Sequence, residues 1–155
     1  MKGFTLVEVV VATSIILVFL LALFGVNNLY LKSAFLNTDS IKATFLAEEG
    51  LEAMRFLRNS SWEDNILPLS AGTNYNLIFL SNAWIVNSSS DYVDNLFERR
   101  AVLSDVYRDV LDDIVTSGGT LDPYTKMVTI NVSWSTRGAT TTKSISTYLS
   151  NILDE

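Results

Sequence analysis

Cysteine and histidine are both absent from these 155 residues. Without cysteine there is no disulfide framework and no thiolate metal site, so stability must come from packing. Without histidine the commonest general base and metal ligand are missing, which excludes a Ser-His-Asp triad or a histidine-ligated zinc hydrolase. Most hydrolytic chemistry goes with them, and no catalytic residue, metal site or cofactor is assigned. Basic residues are also few: 11 Lys and Arg against 17 Asp and Glu give a net charge of -6 and a pI near 4.6. The basic residues are scattered, so no surface is expected that displaces counterions from phosphates, and nucleic acid is not an expected partner. Proline is nearly missing as well, and none interrupts Phe4 to Arg58.

The chain does have a long apolar run. Phe4 to Val26 is 23 residues, which at about 1.5 Å of rise each spans a hydrocarbon core of about 30 Å with some tilt. A cleaved secretory signal has a shorter apolar core followed by a small-residue cleavage site. Here the core is longer, and GVNNLYLKSAFLN continues directly into another helical pattern. One carboxylate, Glu8, stands inside the run. Its insertion costs about 2.5–3.5 kcal/mol, so a residue of this kind pairs with something or marks a working site.

The stretch Lys2-Gly3-Phe4-Thr5-Leu6-Val7-Glu8, followed at once by the apolar run, resembles the type III signal of type IV pilins and pseudopilins. In that family a short basic leader ends in glycine and a membrane-embedded prepilin peptidase cuts after it. The new N-terminal phenylalanine is then N-methylated. The resemblance implies that Gly3 and Phe4 flank the scissile bond and that Phe4 is methylated. It also implies that Glu8 serves subunit assembly by pairing with the Phe4 amine of its own chain or a neighbour's. In a low-dielectric bundle such a pair attracts far more strongly than in water. The implied partners are other pilin or pseudopilin subunits, the prepilin peptidase, the inner-membrane assembly platform and, before assembly, membrane lipid. The implied location is the bacterial cytoplasmic membrane, single-pass, with the N-terminus cytoplasmic and the head outside, and then a filament.

From Asn27 to Arg58 the pattern stays helical. One apolar stripe holds Leu31, Ala34, Phe35, Ile41 and Phe45, and a second, out of phase with it, holds Ala43, Leu46, Ala47, Leu51, Met54 and Leu57. The second stripe is expected to cover the chain's own sheet, leaving the first for neighbours. A continuous helix over Phe4–Arg58 extends about 80 Å. Glu48 and Glu52 repel at i,i+4, whereas Glu52 and Arg55 attract, which reads as a solvated face.

Beyond Asn59-Ser60-Ser61 the composition turns to Ser, Asn, Gly and Pro, ending the helix. Strands are expected at 75–80, 83–86, 97–107, 127–134 and 140–149. KMVTINVSW alternates Val128, Ile130, Val132 and Trp134 against Met127, Thr129, Asn131 and Ser133, one face buried and the other wet. Residues 134–139 read as the turn of a C-terminal hairpin. The fold class is therefore α+β: a helical spine carrying a small antiparallel sheet, with a leader at 1–3, a membrane helix at 4–26, an amphipathic stem at 27–58 and a head at 59–155. The strand ending in VSW before a final hairpin resembles the heads of minor pilins in the type IV pilus modification group.

Asp105, Asp109, Asp112 and Asp113 fit no EF-hand spacing and have Arg108 among them. Ser117-Gly118-Gly119-Thr120 lacks the lysine of a phosphate loop and reads as a hairpin connection. The leading functional reading is a minor pilin or pseudopilin, with type II secretion and competence pseudopilins sharing the same N-terminus. The alternative is a single-pass, membrane-anchored extracytoplasmic binding domain.

Overall fold

A long α-helix leads the chain and an antiparallel sheet follows it, an α+β, pilin-like layout. The computed structural model describes Gly3, residues 5–136 and residues 138–152. Helix α1 runs Leu6–Ser60. The chain divides into two compact units between Ser40 and Ile41.

In the first unit α1 is apolar and uncovered: Leu6, Phe19, Leu21 and Phe24 are all at least 65% exposed. Two polar side chains within the apolar run, Thr13 and Ser14, are satisfied by the helix itself. Thr13 Oγ1 donates to the Val9 and Val10 carbonyls at 3.0 Å, and Ser14 Oγ to the Val10 carbonyl at 2.7 Å. A helix that closes its own hydrogen bonds in this way suits lipid, where no water is available to do so.

In the second unit the rest of α1 packs on the sheet through small residues. Ala43, Ala47 and Ala53 are fully buried, as are Met54 and, nearly so, Leu57. Leu46 and Leu51 pack against the same core. The second stripe therefore covers the sheet as expected, while Leu31, Phe35, Ile41 and Phe45 are 52–71% exposed. Gly50, a position the stripe omitted, belongs to the buried side. A Cβ there would lie 2.8 Å from Ile130 Cγ2, so glycine sets how closely helix and sheet approach.

Helix α1 ends at Ser60, and Ser61 caps a four-residue helix α2, Trp62–Asn65, by accepting from the Asp64 N–H at 3.1 Å. This short helix, absent from the sequence reading, buries Trp62.

Among the described residues seven strands follow: β1 Asn74–Leu80, β2 Ala83–Asn87, β3 Tyr92–Val93, β4 Phe97–Arg108, β5 Ile114–Val115, β6 Thr120–Thr136 and β7 Ala139–Ser150. The order is β2-β1-β4-β6-β7, with every pairing antiparallel. β4 pairs along one side with β6 and along the other with β3, β1 and β5 in turn. The β1–β2 hairpin turns through Ser81 and Asn82, both at positive φ, the twist-matched two-residue turn. β6 meets β7 in the expected C-terminal hairpin, closing at Thr136 and Ala139 with Gly138 at φ +84°.

Within β6, Val128, Ile130, Val132 and Trp134 are buried and the alternate residues partly exposed, as the alternation predicts. The strand begins seven residues earlier than expected, at Thr120. It passes through Pro123 because the β4–β6 register shifts between Asp105/Val106, pairing Asp105 with Lys126 and then Val106 with Asp122. The bulge takes up residues 123–125, where a proline without an N–H breaks no ladder bond.

The connection at Ser117–Thr120 is not a hairpin. β5 and β6 lie on opposite sides of β4, so the chain crosses the end of β4. Gly119 permits the crossing: a Cβ there would come within 2.6 Å of the Arg108 carbonyl oxygen.

Candidate functional site

The N-terminal residues singled out by the sequence fall at the start of α1. Gly3 is exposed, with open space around it. Phe4 lies outside the described residues. Glu8 stands in the first turn of the helix, and its partner in this structure is Thr5. The Thr5 N–H donates to Glu8 Oε2 at 2.8 Å and the Thr5 hydroxyl donates to the same oxygen at 2.9 Å. In return the Glu8 N–H donates to Thr5 Oγ1 at 3.3 Å, and the Val9 N–H donates to the Thr5 carbonyl. This is a capping box: two backbone donors with no partner inside the helix are satisfied reciprocally. The T-x-x-E spacing that produces it was present in the sequence and went unread. The cap fixes the helix start at Leu6. The negative carboxylate also sits at the helix end that carries positive partial charge.

In the second unit the polar features are structural. Arg99, 5% exposed, donates from Nη1 to Glu49 Oε2 at 2.6 Å and from Nη2 to the Leu77 carbonyl at 3.1 Å, and its guanidinium lies 5.0 Å from the Trp84 ring centroid. Arg55 pairs with Glu52, as the i,i+3 spacing predicts.

Asp105, Asp109 and Asp122 of the head are each engaged. Arg108 Nε donates to Asp122 Oδ2 at 2.6 Å, and Lys126 Nζ to Asp105 Oδ1 at 2.6 Å. Asp109 Oδ1 accepts from the N–H groups of Leu111 and Asp113. Burial works to raise the pKa of Asp122, but hydrogen bonds from Arg108, Thr125 and the Tyr124 N–H outweigh it and hold the carboxyl below its usual range. The hydrogen bond to Asp122 in turn raises the pKa of the Arg108 guanidinium. Among the described residues no group of three or more Asp or Glu side chains is placed to hold a metal ion.

Helix, cap and sheet together define a class: an α+β protein led by one helix long and apolar enough to cross a membrane, whose most apolar window is not buried in the protein. The family model for the prokaryotic N-terminal methylation motif matches residues 1–24. The chain thus carries a prepilin-type N-terminus, which supports the type IV pilin and pseudopilin family and a membrane-anchored subunit. No curated protein and no solved structure matches the chain.

Proposed function

We propose that this chain is a minor pilin or pseudopilin, cut by prepilin peptidase between Gly3 and Phe4, methylated on Phe4 and assembled through α1 into a type IV pilus or related filament. The observation that carries the reading is the methylation motif at residues 1–24, which runs directly into an apolar helix that the chain leaves uncovered. Such a surface requires lipid or neighbouring helices around it. In this reading residues 1–3 are the leader, 4–26 the filament-core helix, 27–58 the stem and 59–155 the head, which faces away from the cytoplasm. Glu8 serves assembly. Once Phe4 is N-terminal, its ammonium lies one residue before Thr5 and becomes a second, charged partner for the carboxylate already gathered by the cap.

The test is the intact mass of the protein extracted from its native membrane, with and without active prepilin peptidase. Loss of residues 1–3 together with gain of one methyl group, both dependent on the peptidase, is the expected result. An unprocessed mass in peptidase-positive cells would leave a fixed membrane anchor bearing a binding head.

A further inference from the structure

The loop joining β4 to β5, Asp109–Asp113, displays apolar side chains that the fold does not use. Val110 is 100% exposed and Leu111 78% exposed. Apolar side chains this bare are ordinary on a floppy loop tip, but this turn is braced. Asp109 Oδ1 accepts from the Leu111 N–H at 2.8 Å and the Asp113 N–H at 3.0 Å, and the Asp109 N–H donates to the Asp113 carbonyl at 2.9 Å. The Asp112 N–H donates to the Asp109 carbonyl at 3.2 Å, and Arg108 Nη1 donates to the Asp112 carbonyl at 2.8 Å. Asp112 sits at φ +68°, a left-handed conformation that an L residue adopts at a cost, held here by those bonds. The turn's polar backbone is thus engaged on itself, while Val110 and Leu111 project into solvent. A preformed apolar pair is what a binding hot spot requires, because its ordering entropy is already spent.

The surroundings say what such a partner looks like. Asp109, Asp112 and Asp113 flank the pair along the chain and are all exposed. The cation that precedes the loop in the chain, Arg108, is already engaged by Asp122 and Asp112. An acidic rim is repelled by anionic lipid headgroups and by a second copy of a chain carrying net charge -6. We infer that residues 109–113 form a docking knob that inserts Val110 and Leu111 into an apolar pocket rimmed by Lys or Arg on a different protein. The knob works the same way on a filament subunit or on a fixed anchor.

The test places a benzophenone amino acid at Leu111 of the full chain in its host cells and maps ultraviolet adducts by peptide mass spectrometry. The expected result is one protein adduct, in a peptide whose apolar residues are flanked by Lys or Arg. Its yield falls at least about threefold when Asp112→Asn and Asp113→Asn are combined, and is unchanged by Glu63→Gln, a control at another exposed acid. An adduct to a second copy, to lipid or to a peptide without basic residues overturns the proposal. So does an adduct indifferent to the two aspartates, or no adduct at all.

Discussion

Arg99 and Glu49 are fifty residues apart in sequence and 2.6 Å apart in space, and they join the sheet to the helix that covers it. Arg99 lies on β4, donates to the Leu77 carbonyl on β1 and stacks over Trp84 on β2, so one guanidinium reaches three strands and α1. The arginine is 5% exposed and the glutamate side chain 50% exposed. The charge that has lost its water is therefore the cation, and Glu49 is what neutralises it.

Removing Glu49 leaves that cation short of a partner. Glu49→Ala is expected to destabilise the chain by about 1.5–3 kcal/mol, the range for a hydrogen bond to a charged group. Arg99→Met, which removes the charge along with its need, is expected to cost less than the sum of its separate contacts implies. Urea unfolding of the full chain in detergent, run as a double-mutant cycle, measures the coupling. A coupling near zero would mean that Trp84 and the Leu77 carbonyl suffice to hold Arg99.

At Gly50 two effects of opposite sign compete. Alanine in a helix is favoured over glycine by about 1 kcal/mol, but the new methyl would meet Ile130 Cγ2 at 2.8 Å and Arg99 Cδ at 3.1 Å. Ile130 is fully buried and β-branched, so it yields little. Overpacking at about 1–3 kcal/mol exceeds the propensity gain, and Gly50→Ala is expected to be destabilising. Ile130→Ala removes the opposing Cγ2, so it should cost less in the Gly50→Ala chain than it costs alone. Denaturant midpoints of the two single variants and the double variant check both statements.

Asp122 gives the head an acid-sensitive contact. Its carboxyl pKa is lower folded than unfolded, so its contribution to stability is complete above the ordinary carboxylate value of about 3.9 and is lost as pH falls through the depressed folded value. Thermal unfolding followed below about pH 4 should therefore lose stability more steeply in the parent chain than in Asp122→Asn. Equal acid limbs would show that the Arg108 contact is matched by one in the unfolded chain.

The parts legible in the sequence were those written as a period. The two helical stripes separated the faces of α1 correctly, because Ala43, Ala47, Met54 and Leu57 recur at helical spacing and have a sheet to cover. Val128 to Trp134 alternates because one face of β6 is buried. What escaped was set by contacts between distant segments. The strand expected from residue 127 begins at Thr120 because a bulge gives Pro123 a place in it, and Ser117–Thr120 resembled a hairpin because local composition does not record that β4 lies between β5 and β6. Glu49 carries no mark in the sequence, since nothing near it announces Arg99. Of the N-terminal site, the Gly3, Phe4 and Glu8 pattern was read from the sequence by resemblance, whereas the role of Thr5 needed the geometry of the first turn.

That geometry separates the capping role of Glu8 from the assembly role proposed for it, two roles that deletion confounds. As a capping acceptor, Glu8 needs an oxygen at the end of its side chain. As a partner for the Phe4 amine, it needs a negative charge. Glu8→Gln keeps the oxygen, and glutamine serves in a capping box as glutamate does. Glu8→Gln is thus expected to be processed by prepilin peptidase at a normal rate, since the helix start and the leader sequence are retained, yet to be incorporated poorly into filaments. Glu8→Ala removes both functions and should also fray the first turn, at a cost of about 1 kcal/mol for the lost cap. Intact mass reports processing, and the amount of protein in sheared filaments reports incorporation. If Glu8→Gln assembles as well as the parent while Glu8→Ala does not, the carboxylate acts as a cap and the charge pair is dispensable. If both variants are cleaved and neither assembles, the charge is what registers an incoming subunit.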